Sequence, residues 1–385
     1  MTRKAVRAAV RTLGGLVPVA VSTPAPRREV VLLRPDHLGD GILTLPALMY
    51  LRRQAPMLRR TVAAGPWNRE FFLAFPDLAE LAVIPFPGFA RTRRRLSADP
   101  YRTLWREARR LRQRRPLAAV VLRDDHWWGA WLCALAGIPI RIGSDHPHVR
   151  PFLTHPVPLR SEHVAARNLE LAESLLATLG LSGTCGNFAP ERYPLVWPLD
   201  ERARARIREL LAEHGVQPPV AIAHPGSGTP SKCWPTERWA ALAEALHARG
   251  MSVVLTGSAS ERADLERIAA LARSHVTVLA GVLSVSVLAE LMREARIVVG
   301  PDTGPLHLAV AVGTATVHLF GPTDPARFGP WGPSHRHRAV RSPLTCSRCG
   351  DIGPDRGLGV GCMMALTVDR VVREIEVALV ASERG

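Results

Sequence analysis

Long apolar runs are absent from this chain of 385 residues. No stretch approaches the roughly 18 uninterrupted apolar residues of a membrane span. The start, "MTRKAVRAAVRTLGGLVPVAVSTPAP", puts a basic stretch before a short segment broken by Gly and Pro, a poor match to a secretory signal, so a cytoplasmic location is expected. Cysteine is sparse, 6 residues at scattered positions, and reduced thiols are expected rather than a disulfide framework. Aromatics are only 5% of the chain. The densest basic segment, residues 91–115 ("RTRRRLSADPYRTLWREARRLRQRR"), lacks the regular aromatic interleaving of a single-strand nucleic-acid platform, and nucleic acid is not an expected partner.

Acidic residues are also outnumbered, 34 against 50 basic ones, for a net charge of +16 dominated by Arg. That balance fits a phosphorylated small molecule, an acidic glycan or an anionic lipid surface, and compositional drift toward Arg explains it as readily. What the chain has in quantity is apolar material. Hydrophobic residues at 47%, with 22% charged, are enough for sizeable cores, and the length suggests about two domains.

From residue 29 onward, apolar β-branched runs alternate with helical patterns. "EVVLLR", "PLAAVVLR" and "IPIRIG" read as strands in the first half, and "PVAIAH", "MSVVLTG", "VTVLAG", "RIVVG" and "ATVHLFG" in the second. Segments 236–249 and 285–294 carry apolar residues at helical spacing between them. This rhythm predicts α/β architecture, two Rossmann-like doubly wound parallel-sheet domains facing a central cleft. Prolines at 190, 194 and 198 mark a seam. The expected division is a basic N-terminal extension, 1–28, in which 3–13 reads as a frayed basic terminus or, less commonly, a basic amphipathic helix on a membrane surface; a first domain, 29–195; and a second domain with a Cys-containing tail and helix, 196–385.

Loops at the expected strand ends carry the chemistry. In "LRPDHLGDGILTLPAL" a strand runs out and a helix begins at Asp40, which either caps that helix or takes a proton from a substrate; Gly39 would allow a tight turn. "HPGSGTPSK" offers backbone N–H groups, Ser227, Thr229 and Lys232 to an anion. It is not a Walker A loop, since no glycine precedes Lys232 and no Ser or Thr follows it. In "TGSASE", Glu261 either complements a helix dipole or binds ribose hydroxyls. "GPDTGPLH" sets Asp302, Thr303, Gly304 and His307 at the opening of a small-residue helix, a ligand-site pattern that a capping Asp and a satisfied His would also produce.

These segments, with "HLFGPTDP" and the tail "CSRCG…GCMMALTVDRVV", occur in an order that resembles glycosyltransferase family 9, the heptosyltransferase-like enzymes, over about residues 29–381. The resemblance implies the GT-B fold, an acceptor-binding first domain and a nucleotide-sugar-binding second domain. It implies transfer of heptose from ADP-heptose, with inversion and without a metal or other cofactor, to a lipid-linked or cell-envelope glycan. By the same matching Asp40 is the general base, and Lys232 and Ser227, with the helix opening at Thr303 and Gly304, face the departing diphosphate. Glu261 then holds ribose, Asp302 a sugar hydroxyl, and His307 lies near the phosphates or sugar. Arg34 and His37 are the expected acceptor contacts. Gly228 stands where some members have a hydroxyl residue, leaving its phosphate contacts to backbone N–H.

Cys346, Cys349 and Cys362, with His335 or His337, could be read as zinc ligands, but they lack a second close pair, and packing thiols are expected. Two other functions fit the same residues: an epimerase-like GT-B enzyme, and a catalytically inactive polyanion- or membrane-binding protein. Peripheral association with the inner membrane surface is compatible with the enzyme reading.

Overall fold

The computed structural model describes residues 28–89, 99–181, 186–344 and 360–383. The chain divides into two units, 1–188 and 189–385, each built on a six-stranded parallel sheet. The first sheet contains β1 (Glu29–Arg34), β2 (Arg59–Ala64), β3 (Glu80–Val83), β4 (Ala118–Val121), β5 (Ile140–Ser144) and β6 (His155–Val157), in the order β3-β2-β1-β4-β5-β6. The second contains β7 (Val220–Ala223), β8 (Ser252–Gly257), β9 (Val276–Ala280), β10 (Ala295–Pro301), β11 (Ala315–Phe320) and β12 (His337–Arg341), in the order β12-β11-β10-β7-β8-β9. The expected doubly wound α/β class is what forms.

The central strands are buried along their whole length. Val30 to Leu33 of β1 and Val220 to Ala223 of β7 are apolar runs without alternation, because helices cover both faces of a parallel sheet. On one face of the first sheet, Val31, Leu33, Ala63 and Ala119 meet Leu104, Ala108 and Leu111 of helix Asp99–Arg114 and Leu132 of helix Trp127–Leu135. In the second unit Val253, Leu255, Val299 and Val317 pack with Trp239, Leu242 and Leu246 of helix Thr236–His247. Val371, Ile375 and Ala378 of helix Val368–Glu383 join that core.

Residues 189–197 belong with the second unit, upstream of the expected seam after 195. The Trp197 amide donates to the Ala311 carbonyl at 3.0 Å, and the Trp331 indole donates to the Tyr193 carbonyl at 2.7 Å. The strand order reverses between β1 and β4 in one sheet and between β7 and β10 in the other. At each reversal the connections leave in opposite directions, which opens a crevice at the strands' carboxyl ends. Every candidate site residue but Glu261 follows, or in Arg34 ends, one of these strands; Glu261 follows β8, the neighbour of β7.

Candidate active site

Asp40 is the third residue of the helix Leu38–Ile42, preceded by His37 as the cap residue. It is therefore not the cap; its half-buried side chain lies in the first turn, where free backbone N–H groups favour a negative charge. Gly39 is itself helical and makes no tight turn. The Thr44 hydroxyl donates to the Asp40 carbonyl at 2.8 Å and ties this short helix to the next, Leu45–Gln54.

The loop before Asp40 is fixed by a buried ionic cluster. Asp36 pairs with Arg34 at 3.1 Å and with Arg123, which follows β4. Its carbonyl accepts from the Trp67 indole at 2.7 Å and from Asn68 at 2.8 Å, both beyond β2. Arg34 reaches further, donating to Asn168 at 2.5 Å and to the Leu122 carbonyl at 3.1 Å. Burial alone would raise the Asp36 carboxyl, but Arg34 and Arg123 outweigh it and hold the group below the usual carboxylate range.

This corrects one expectation. Arg34, 2% exposed, faces inward and pins the loop, so it is not open to an acceptor. His37 remains half-buried, with its ring tilted against Trp67 at 5.5 Å.

In the second unit His224 follows the end of β7, and its Nδ1 lies 2.9 Å from the Thr256 hydroxyl; burial pushes this imidazole down to about 4, against the pull of Glu261. The loop that follows turns through Ser227, whose hydroxyl accepts the Thr229 amide at 3.3 Å, past the exposed Gly228, and into a 3₁₀ turn at Pro230–Lys232. There the Lys232 ammonium donates to the Asp302 carboxylate at 2.8 Å and to its carbonyl at 3.2 Å. The other Asp302 oxygen lies 3.7 Å from His307 Nε2. Burial would raise Asp302, but His307 and Lys232 together drive it far below its ordinary value, so it is a carboxylate at any working pH.

Thr303 is the cap residue of helix Gly304–Ala311, with Pro305 in its first turn. The Thr303 hydroxyl turns back to the Pro301 carbonyl at 3.2 Å, so the helix's free N–H groups have no side-chain cap. They lie beside Lys232, whose ammonium is shared with Asp302, and together these donors can receive an anion.

Glu261, after β8, caps its own turn: one carboxylate oxygen accepts both the Ser258 amide and the Ser258 hydroxyl, each at 2.7 Å. The other leans over Gly226. A Cβ there would lie 2.1 Å from it, so glycine is what lets the loops after β7 and β8 meet.

The structure thus joins Lys232, Asp302 and His307 in one chain of contacts and sets Glu261 against the loop bearing Ser227. Asp40, Arg34 and His37 lie in the first unit. The sequence reading missed Asp36 and Arg123, which form the Asp40 loop's ion cluster, and His318, which stands 5.7 Å from the His307 ring and 3.0 Å from the Thr316 hydroxyl. His318 was legible only as part of a strand; its alternation against buried neighbours on β11 was the available signal.

Cys346 and Cys349 lie outside the described residues. Cys362 is buried in the second core, and His337 Nδ1 is 3.0 Å from Thr316 Oγ1. Among the described residues no group of three or more His, Cys, Asp and Glu could hold a metal ion, and no helix is long and apolar enough to cross a membrane.

A family model described as glycosyltransferase family 9 (heptosyltransferase) matches residues 104–353. Lipopolysaccharide heptosyltransferase 3 of Escherichia coli is 28% identical over 302 residues, 76% of this chain and 83% of the relative. Among solved structures, the glycosyl transferase family 9 protein from Veillonella parvula superposes with a TM-score of 0.74 at 22% identity, covering 94% of this chain and 99% of that one. The E. coli ADP-heptose lps heptosyltransferase II superposes with a TM-score of 0.69 at 22% identity, covering 92% and 99%. At that identity the structural likeness shows the shared GT-B fold.

Proposed function

This chain belongs to glycosyltransferase family 9, and from that membership we propose that it transfers a heptose, with inversion, from ADP-heptose to an acidic lipid-linked glycan of the lipopolysaccharide core. The observation that carries the reading is the cluster of Lys232, Asp302, His307 and Glu261 on loops after β7, β8 and β10, around the second sheet's switch point. The names of the curated E. coli relative and of the E. coli ADP-heptose enzyme support the choice of sugar and nucleotide.

In the proposed reaction an acceptor hydroxyl oxygen attacks the anomeric carbon from the face opposite the diphosphate. Its proton passes to the Asp40 carboxylate as the new C–O bond forms. The bond from the anomeric carbon to the diphosphate oxygen breaks with its electron pair, and the charge collecting on that oxygen meets Lys232, Ser227 and the N–H groups at Thr303 and Gly304, with the backbone N–H at Gly228 on the outer phosphate. Asp302, fixed as a carboxylate, accepts hydrogen bonds from sugar hydroxyls, and His307 steadies it. Glu261 takes the ribose hydroxyls in place of its Ser258 contacts. His37, a turn ahead of Asp40, meets the acceptor. A lipid-linked acceptor implies work at the cytoplasmic face of the inner membrane, with the enzyme held there peripherally.

The test pairs binding with turnover. ADP-sugars should raise the melting temperature where UDP- and GDP-sugars do not. Asp40→Asn should lower kcat by about 100- to 10,000-fold while leaving ADP binding intact. Retained turnover in that variant overturns the base assignment, and a preference for another nucleotide overturns the donor.

A further inference from the structure

Among the described residues the exposed aromatic side chains are Tyr101 and Trp105, 39% and 62% exposed, one turn apart on helix Asp99–Arg114. Their neighbours on the outward face are Arg102, Arg106, Arg109 and Arg110, all exposed, of which Arg106 and Arg110 pair with the Glu107 carboxylate at 2.9 and 3.2 Å. The helix buries Leu104, Ala108 and Leu111 against the first sheet, and Glu107 is buried with them, so beyond Asp99 at its start the outer face carries no acid. An exposed indole beside an exposed phenol, flanked by guanidinium groups, is an amphipathic surface. It suits a lipid interface, where Trp and Tyr sit at headgroup depth and Arg meets phosphate.

The direction of the helix adds a second observation. At its far end Arg114 bonds Glu29 at 2.9 Å and Glu80 at 3.1 Å, the first residues of β1 and β3. The helix therefore runs against the strands, and its aromatic end points to the carboxyl edge of the sheet, which also carries Asp40. At that end the Pro100 carbonyl accepts from the Trp128 indole at 3.2 Å, and Tyr101 meets Trp131 edge-on at 6.2 Å.

We propose that this helix face rests on an anionic lipid bilayer, with Trp105 and Tyr101 at headgroup level and Arg102 and Arg109 on lipid phosphates. The proposal rests on the reading of the acceptor as lipid-linked, and it names the surface that brings such an acceptor to the edge holding Asp40. Lipid fits better than nucleic acid because the aromatics stand on a convex helix, whereas a strand-binding platform interleaves them along a groove.

Vesicle flotation of the full-length protein tests it. The protein should float with phosphatidylcholine vesicles containing a quarter phosphatidylglycerol, fail to float with phosphatidylcholine alone, and release in high salt. Trp105→Ser, and separately the pair Arg102→Glu and Arg109→Glu, should each cut the bound fraction at least 10-fold while the thermal shift given by ADP stays as in the unmodified protein. Loss of the ADP shift in the unmodified protein would sink the donor reading and leave this one standing. Failure of that protein to float overturns the proposal, as does flotation unchanged in either variant, including the case in which duplex DNA binds through the arginines and Trp105→Ser floats normally.

Discussion

Gly226 shows how much a single missing methyl can decide. The Glu261 carboxylate occupies the space a Cβ would take, 2.1 Å away. Gly226→Ala should push that carboxylate aside and break its bonds to Ser258, with little effect on the core because the displaced atoms end a flexible side chain. If Glu261 grips the donor ribose, ADP affinity measured by calorimetry should fall about 10- to 100-fold, the equivalent of about 1.5–3 kcal/mol for a hydrogen bond to a charged group. Unchanged affinity would detach Glu261 from the nucleotide. "TGSASE" left Glu261 between a dipole role and a ribose role because its partner, Gly226, lies on another loop. Arg34 was misread for the same reason: its partner Asn168 sits on a distant helix, and no local pattern announces it.

Among the elements, helix Val164–Thr178 has a task beyond packing. Its fully buried Asn168 accepts from Arg34 and donates to the Leu43 carbonyl at 2.9 Å, so it braces the chain on both sides of Asp40. Asn168→Ala should strip a buried guanidinium of a partner and leave a carbonyl unsatisfied, costing about 1–3 kcal/mol per group. Denaturant unfolding should register that loss, and kcat should drop with it if Asp40 is the base we propose, since its loop is no longer held; full stability and full turnover together would contradict the bracing role.

The same scale shows which elements the sequence made legible. Strands β1, β4, β7, β8, β9, β10 and β11 could be read directly, since a strand buried on both faces is mostly apolar even where, as at Thr316 and His318 of β11, polar residues break the run. β2 ("RRTVAA"), β3 ("ELAV"), β6 ("HPV") and β12 ("HRAVR") escaped, being short, half-exposed or begun by charged residues, and three of them are sheet edges.

At the scale of the whole molecule, buried histidines set its tolerance of acid. Burial pushes His126, His224 and His337 each down to about 4 from an ordinary 6.5, so all are neutral in the fold. As pH falls, the unfolded chain takes up these protons first. Stability is whole above about 6.5 and declines until about 4, by up to about 3 kcal/mol for each histidine. The depressed carboxyls of Asp36 and Asp302 act lower, below the ordinary carboxylate value of 3.8, and do not contribute to that decline. Calorimetric melting temperatures should therefore fall steadily from pH 6.5 to 4.5, and a flat profile would show that these imidazoles protonate freely inside the fold. The prolines at 190, 194 and 198 suggested a seam, but the attachment of residues 189–197 depends on the Trp197 and Trp331 hydrogen bonds, which composition does not reveal.

The two strand orders are one order read from opposite ends: counted within its own unit, each sheet runs third, second, first, fourth, fifth, sixth. The halves are topological twins, and the connection after the first strand bears Asp40, in its short helix, in one and Lys232, in its 3₁₀ turn, in the other. A common address has thus been given opposite charge. Because each half has its own sheet and its own loops, a substitution in the loops of one leaves the framework of the other untouched.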